Sequence, residues 1–202
     1  MLSLNCDIDD LTDVTNIVKK GGIIIYPTDT LYGIGCNPYD EEAVNRIFRL
    51  KKRSNRPLPV LCSDIMRAEE LVHLGDTGRR LASRFWPGGL TIVAKIAANN
   101  LPKELTGGSE GLGVRVPDHR GALKIISLCE GCLVGTSANV SGSKTPDTPE
   151  GIRSMFDEEV DVLIYGGGRP SGVQSTVVDL VSGAARIIRE GAVPSEELLQ
   201  IL

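Results

Sequence analysis

The chain of 202 residues has few aromatic side chains, only two histidines and no long apolar run. A membrane-spanning helix needs about 18 consecutive apolar residues, and no segment approaches that length. The N-terminus carries Asp7, Asp9 and Asp10, and it lacks the basic start and apolar stretch of a signal peptide. These absences predict a cytoplasmic protein.

Disulfides and metal sites are also poorly supported by the composition. The five cysteines leave one unpaired in any full set of disulfides, which suits free thiols in a reducing compartment. Cys129 and Cys132 have redox spacing, but only His73 and His119 are available to complete a metal site with them. We therefore interpret that pair as a helix end entering a strand and expect no metal held by protein side chains.

The net charge is −4, so the molecule as a whole repels nucleic acid, and any affinity for polyanions must be local. One local source is a run of six cations within eleven residues, at Arg46, Arg49, Lys51, Lys52, Arg53 and Arg56. A solvated helix face is the usual meaning of such a run, and we favour it for Arg46, Arg49 and Lys52. Arg53 and Arg56 flank a turn before a proline, where a guanidinium can face inward and bind phosphate.

Apolar spacing predicts a mixture of helices and strands without strict alternation. We expect helices at 9–20, 40–52, 64–72, 76–85, 119–128 and 195–202. We expect strands at 23–26, 58–62, 90–96, 112–116, 133–136, 160–165, 175–181 and 185–189. With 41% apolar and 24% charged residues, this pattern predicts a single α/β (α+β-like) domain over residues 1–202 on a twisted mixed sheet.

Two distant segments place hydroxyls, an amide or glycines directly after predicted strands. They are Tyr26-Pro-Thr-Asp-Thr-Leu-Tyr-Gly-Ile-Gly35 and Thr136-Ser-Ala-Asn-Val-Ser-Gly142. Backbone amides in such loops can approach an anion closely, although the same residues are ordinary in turns. Together the two segments predict a phosphate-handling site, and the irregular 140–149 stretch is expected to be a loop beside it.

Two arginines in apolar strands require a partner. Arg115 lies mid-strand, where an unpaired charge is costly, and its partner is either Asp29, Asp118 or a substrate carboxylate. Arg189 follows Ile187 and Ile188, and a surface salt bridge is its simplest interpretation. The sequence leaves these alternatives open.

Seven segments in order resemble the motifs of the YrdC family of threonylcarbamoyl-AMP synthases. Besides the two segments above, they are Lys51-Lys-Arg53, Trp86-Pro-Gly-Gly-Leu-Thr91, Gly113-Val-Arg-Val-Pro117, Ser175-Thr-Val-Val-Asp179 and Arg189-Glu-Gly191. The resemblance runs from about residue 9 to the C-terminus. Longer members carry an extra C-terminal domain, so the chain resembles the short form.

The resemblance implies a twisted mixed sheet with flanking helices around a basic cavity. It also implies an enzyme that condenses L-threonine, bicarbonate and ATP, with Mg²⁺, into threonylcarbamoyl-AMP and pyrophosphate. A tRNA-modifying transferase would then move the threonylcarbamoyl group to tRNA. Two alternatives are an RNA-binding module that uses the basic cavity and a related enzyme that forms a different carbamoyl adenylate.

The resemblance also assigns residues. Lys51 and Arg53 are implied to be catalytic through their grip on the triphosphate. The implied ATP-binding set is Lys51, Arg53, Arg56, Asn139, Asp147 and Arg189, and the implied threonine-binding set is Thr30, Arg115, Ser137 and Ser175. Leu61 stands where some members have a polar contact to threonine.

Overall fold

A computed structural model describes residues 1–52, 57–156 and 159–202. Within these ranges the chain forms twelve strands: β1 (Leu2–Asn5), β2 (Ile24–Tyr26), β3 (Gly33–Gly35), β4 (Val60–Cys62), β5 (Val72–His73), β6 (Leu90–Ile96), β7 (Gly111–Arg115), β8 (Cys132–Val134), β9 (Thr136–Ser137), β10 (Val162–Tyr165), β11 (Thr176–Asp179) and β12 (Arg186–Arg189). The same ranges contain eight helices: α1 (Thr12–Lys19), α2 (Glu41–Leu50), α3 (Ile65–Leu71), α4 (Gly75–Phe85), α5 (Lys103–Thr106), α6 (Arg120–Leu128), α7 (Pro149–Phe156) and α8 (Ser195–Leu199).

The strands form two mixed sheets instead of the one that we expected. The five-stranded sheet has the order β1-β10-β2-β3-β9, with parallel pairs on the β1 side and antiparallel pairs from β2 to β9. The seven-stranded sheet has the order β12-β11-β6-β7-β4-β8, and β5 pairs with β6 at one end. The predicted α/β fold with mixed pairing and flanking helices is confirmed.

Sequence patterns explain the best-defined elements. Strand β2 lies in the unbroken apolar run that begins at Ile23, and each of its residues is fully buried. Helix α2 begins after Asp40, whose carboxylate accepts a hydrogen bond of 3.0 Å from the Ala43 amide. Its apolar stripe, which includes Val44 and Ile47, packs into the core. Both elements agree with the sequence prediction.

The two sheets meet where β3 passes β8. The hydroxyl of Tyr26 donates to the Val134 carbonyl over 3.0 Å, and the Val134 amide donates to the Cys36 carbonyl over 3.0 Å. A Cβ on Gly35 would lie 2.2 Å from the Val134 carbonyl oxygen, so only glycine allows this approach. Hydrophobic residues of both sheets share the larger core cluster, and a second cluster lies under α1 and α6.

Several elements differ from the sequence prediction. Strands β1, β3 and β5 and helices α5 and α7 were not predicted, and the 140–149 loop ends where α7 begins at Pro149. All five cysteines are free and buried, and Cys129 caps α6 just before β8 begins at Cys132, as we expected. In the part of the chain that the structure describes, no helix is both long and apolar enough to cross a membrane.

Candidate active site

A cavity of about 510 Å³ lies between the two sheets. Five of the predicted site residues line it, and they come from distant parts of the chain: Thr30, Arg115, Ser137, Ser175 and Arg189. Thr30 and Ser137 belong to the side of the five-stranded sheet, whereas Arg115, Ser175 and Arg189 belong to the seven-stranded sheet. The predicted convergence of these residues is therefore present in the fold.

The floor of the cavity is one face of the seven-stranded sheet. Because side chains alternate along a strand, every second residue faces the cavity. These residues are Ser175 just before β11, Val177 and Asp179 on β11, Thr91 and Val93 on β6, and Gly111, Gly113 and Arg115 on β7. The pairing of β11 with β12 shifts register between Val177 and Val178. This irregularity lets the consecutive residues Ile188 and Arg189 both reach the cavity.

The loop after β2 is held by internal hydrogen bonds. The Thr28 hydroxyl donates to the Leu31 carbonyl over 2.6 Å and accepts from the amides of Thr30 and Leu31 over 3.2 Å. The amides of Ser171 and Gly172 donate to the carbonyls of Asp29 and Thr30 from the facing loop. Thr28 therefore shapes the loop, while Thr30 presents its hydroxyl to the cavity.

Arg115 is buried, and its internal partner is Asp29, one of the alternatives that the sequence left open. The guanidinium forms an ion pair with the Asp29 carboxylate and donates to the Thr30 hydroxyl and the Gly88 carbonyl over 2.8 Å each. Burial lowers the pKa of Arg115, and Asp29 opposes that shift. Of the five guanidinium N–H groups, these bonds leave two for a ligand.

Arg189 makes no surface salt bridge with any residue that the structure describes. Its guanidinium donates to the Ser175 carbonyl over 3.1 and 2.8 Å and to the Ser175 hydroxyl over 3.2 Å. The Ser175 hydroxyl also lies 2.8 Å from that of Thr91. Desolvation by the cavity wall lowers the pKa of Arg189. A cation without a carboxylate partner at this wall favours an anionic ligand.

Lys51 lies directly behind Ser137 and is almost completely buried. Its ammonium group donates to the Ser137 carbonyl, to the Asn139 carbonyl over 3.0 Å and to the Asn139 side-chain oxygen over 3.3 Å. The Ser137 hydroxyl donates to the same side-chain oxygen over 2.6 Å. Lys51 therefore fixes the segment from Ser137 to Asn139, although neither Lys51 nor Asn139 is among the lining residues.

The described remainder of the cationic run agrees with the interpretation as a solvated helix face. Arg46 pairs with Asp161 and donates to the Gly21 carbonyl over 2.8 Å, Arg49 pairs with Glu42 and Lys52 is exposed. These contacts fit a solvated helix face. Arg53 and Arg56, predicted to grip phosphate, lie outside the described residues.

Asp147 is not a lining residue of the described cavity. Its carboxylate forms an ion pair with Arg169, which lowers the pKa of Asp147 below its usual value. The pair joins the loop that follows β9 to the loop that follows β10. A role of Asp147 in nucleotide binding stays a prediction.

Several lining residues were not predicted from the sequence, notably Asp179, Gln174, Gly111 and Gly135. A signal for Gly111 was present in the alternation of the Gly-Leu-Gly-Val-Arg run, because Gly111 shares a strand face with Gly113 and Arg115. Asp179 shares a face with Ser175 by the same rule. Gln174 lies in a loop and gives no such signal.

Fold and cavity define the class of protein: an α/β protein with a hollow between two mixed sheets that is lined by hydroxyls and two arginines. The Sua5_yciO_yrdC family model, described as telomere recombination, matches residues 16–191. The chain belongs to this family.

Three comparisons describe its relatives. The chain is 36% identical over 187 residues to a threonylcarbamoyl-AMP synthase of Pyrococcus abyssi, and the alignment covers 92% of this chain and 55% of that protein. It is 37% identical over 171 residues to a threonylcarbamoyl-AMP synthase of Thiobacillus denitrificans, and that alignment covers 82% of this chain and 88% of the relative. The crystal structure of P. abyssi Sua5 complexed with L-threonine superposes with a TM-score of 0.91 at 32% identity, covering all of this chain and 60% of that one. The chain thus spans little more than half the length of the P. abyssi relative.

Proposed function

We propose that this protein is a threonylcarbamoyl-AMP synthase, which condenses L-threonine, bicarbonate and ATP to threonylcarbamoyl-AMP and pyrophosphate. The observation that carries the proposal is the convergence of Thr30, Arg115, Ser137, Ser175 and Arg189 in one cavity. Relatives named for this activity and the structure of P. abyssi Sua5 complexed with L-threonine support it.

The polar end of the cavity suits threonine. The two remaining N–H groups of Arg115 match a carboxylate. The Thr30 hydroxyl lies beside the Arg115 guanidinium, and the Ser175 hydroxyl lies beside that of Arg189. Hydroxyls both donate and accept, so they can hold the ammonium or the side-chain hydroxyl of the amino acid. Leu61, also in the lining, supplies an apolar contact for its methyl group.

The segment fixed by Lys51 suits the phosphates of ATP. Ser137 faces the cavity from β9, and the buried ammonium of Lys51 adds positive charge directly behind it. We assign the triphosphate to this side, with Lys51, Arg53 and Arg56 supplying charge and Asn139, Asp147 and Arg189 completing the predicted set. The nucleotide and the amino acid would then meet between Ser137 and Arg115.

The chemistry requires no side-chain nucleophile. The threonine amine attacks bicarbonate and forms a carbamate with loss of water. A carbamate oxygen then attacks the α-phosphorus of ATP, and the bond to the β-phosphate oxygen breaks to release pyrophosphate. The protein positions the reactants and neutralises charge, and positioning alone can contribute roughly 7–11 kcal/mol. We therefore expect no single residue to act as an indispensable general base.

Mg²⁺ is proposed as a part of the substrate, bound to ATP. In the described ranges, no three residues among His, Cys, Asp and Glu are grouped to hold a metal ion. Asp29, the carboxylate next to the polar end of the cavity, is engaged by Arg115. The ion would bridge phosphate oxygens and lessen the charge that the arginines must offset.

The proposal includes a downstream partner, a tRNA-modifying transferase that consumes the adenylate, and places both proteins in the cytoplasm. The RNA-binding alternative has weaker support because Arg46 and Arg49 are engaged by Asp161 and Glu42. The other alternative, a related enzyme that forms a different carbamoyl adenylate, differs from the proposed enzyme in the substrate that it requires. It would use carbamoyl phosphate, whereas the proposed enzyme would require threonine and bicarbonate.

The test is pyrophosphate release from purified protein with ATP and Mg²⁺. Release that requires both L-threonine and bicarbonate, together with a product of the mass of threonylcarbamoyl-AMP, would support the proposal. Release driven by carbamoyl phosphate, or none in the presence of all substrates, would contradict it.

Two variants locate the chemistry. Lys51→Ala and Arg53→Ala are each expected to remove most of the activity, and Glu42→Gln, a surface carboxylate outside the cavity, serves as control. Because Lys51 is buried, its variant also needs a stability measurement to separate loss of charge from loss of loop order. Normal rates in both variants would refute the phosphate assignment.

A further inference from the structure

Asp179 is the only carboxylate among the described residues that line the cavity. One oxygen, Oδ1, accepts a hydrogen bond of 2.8 Å from the Val181 amide, and no hydrogen bond to the second oxygen is found within the described chain. Arg186 lies opposite Asp179 in the β11–β12 register, yet no ion pair joins them in the structure as described. A negative charge in a cavity built for anions requires its own explanation.

The position of Asp179 separates it from the phosphate-binding side. It lies four residues beyond Ser175, which directly precedes β11, and this places it about 13 Å from Ser175 along the sheet. The proposed α-phosphate and carbamate lie near Arg115 and Ser137, so the carboxylate avoids the charge that it would repel. The nucleoside is the part of ATP that leaves the α-phosphate on the side away from the pyrophosphate group, so it is the part that would reach Asp179.

The surface next to Asp179 is largely apolar. Val93 is its direct neighbour on β6, Gly113 lies opposite Val93 on β7, and Pro59 is next to Gly113. All three line the cavity. Because Gly113 carries no side chain, the row leaves room between Val93 and Pro59 on which a planar ring can stack, whereas a ribose is neither planar nor apolar.

We propose that the row Asp179–Val93–Gly113–Pro59 is a nucleobase platform and that Asp179 selects adenine by accepting a hydrogen bond from its exocyclic amino group. A carboxylate with two available oxygens would pair with the two adjacent N–H donors of guanine. Here Oδ1 is held by the Val181 amide, so one acceptor remains for one donor. The inference rests on the proposed function, because it takes ATP as the ligand.

The first experiment needs no variant. Calorimetric titration of the wild-type protein compares ATP with the triphosphates of purine riboside, which lacks the amino group, and inosine, which has an oxygen acceptor there. A hydrogen bond to a charged group corresponds to about 10- to 100-fold in affinity. We expect both analogues to bind more weakly by that factor, and equal affinities would overturn the proposal.

The second experiment tests the residue. In Asp179→Asn the side-chain oxygen can still accept from Val181, while the amide nitrogen presents a donor to the base. We expect this variant to lose about 10- to 100-fold in kcat/KM for ATP and to favour inosine triphosphate relative to ATP. Glu110→Gln is the matched control, because it removes an exposed carboxylate beside Gly111 that does not line the cavity.

The remaining outcomes are distinguishable. If Asp179→Asn loses discrimination against 2′-deoxy-ATP or 3′-deoxy-ATP instead, the carboxylate binds ribose and the base assignment is wrong. If the wild-type protein binds these nucleotides with the expected order but releases no pyrophosphate with threonine and bicarbonate, the platform stands and the proposed function fails. If it makes the adenylate from every purine triphosphate at one rate, the function stands and the platform fails.

Discussion

Arg115 serves the fold and the proposed substrate with the same guanidinium. It is buried, it pairs with Asp29 and it holds the Thr30 hydroxyl. Since removal of one partner leaves the other charge poorly solvated, breaking a buried pair of this kind typically costs several kcal/mol. Stability and threonine binding should therefore change together at this position.

We expect Arg115→Ala to lower the free energy of unfolding by about 3 kcal/mol, because Asp29 retains some contact with water. The same variant should lose threonine binding. Arg115→Lys keeps one charge for Asp29 but lacks the planar fork, so it should recover more stability than affinity. Urea denaturation and threonine titration measure the two effects, and a fully stable Arg115→Ala would show that the pair contributes little.

The cysteines allow a second prediction at this scale. Burial raises the pKa of Cys129 to about 12, with Cys132 and Glu130 adding to the shift, and burial also raises the pKa of Cys132. A raised pKa keeps the thiol protonated, so at pH 8 Cys129 holds roughly a thousandfold less thiolate than a free cysteine with a pKa of about 8.5.

Iodoacetamide should therefore modify the native protein very slowly at pH 8 and modify all five cysteines after denaturation. Mass spectrometry of timed samples follows the reaction, and free cysteine provides the reference rate. Rapid labelling of Cys129 or Cys132 in the native protein would indicate a reactive redox pair and would contradict the structural interpretation of their spacing.

At the scale of elements, the contact of β3 with β8 depends on one glycine. A Cβ on Gly35 would meet the Val134 carbonyl oxygen at 2.2 Å and the Tyr26 ring at 2.9 Å, and a backbone oxygen has little freedom to move. Two residues earlier on the same strand, a Cβ on Gly33 would lie 3.5 Å from the Tyr26 ring, an ordinary contact.

Gly35→Ala should destabilise the protein by about 3 kcal/mol, the upper part of the range for overpacking. Gly33→Ala is the matched control and should cost less than about 1 kcal/mol, because its backbone conformation and surroundings accept a methyl group. Thermal unfolding of both variants makes the comparison. Equal melting temperatures would mean that the two sheets can shift apart without cost.

The elements that sequence patterns predicted are those with strong local signals. The apolar run that contains β2 and the Asp40 cap of α2 fix their own conformations. Strand β3 has no such signal, since two of its three residues are glycines, and it forms because β2 and β9 supply partners. Helix α7 had a usable signal in Pro149 at its first position, with Ile152 and Phe156 one turn apart on its buried side.

The candidate site shows the same difference between features with a local sequence signal and features that depend on strand pairing. Hydroxyls and cations after strands predicted which residues matter, but their convergence depends on pairings such as Gly33 with Ser137. No local pattern encodes that register, and the resemblance to a family supplied it. Alternation along the strand puts Asp179 on the same face as Ser175, but only the parallel pairing of β11 with β6 makes that face part of the cavity floor.

For the whole molecule, the central fact is that the proposed ligands would bridge the two sheets. Thr30 and Ser137 contribute from one side, and Arg115 and Ser175 from the other. A ligand held by both sets binds only when the sheets are docked, so its binding energy adds to the stability of the whole fold. Local unfolding of either sheet would release it.

We therefore expect L-threonine at a hundred times its dissociation constant to stabilise the protein by about 2.7 kcal/mol. For a domain of this size, that corresponds to a rise of roughly 5–10 °C in the melting temperature. D-threonine is the control, since it presents the same charges with the wrong geometry at Thr30 and Arg115. Differential scanning fluorimetry with each amino acid, with and without ATP and Mg²⁺, measures the shift. If ATP raises the melting temperature but L-threonine has no more effect than its mirror image, the polar end of the cavity does not recognise threonine, and the substrate assignment is wrong although the nucleotide site remains.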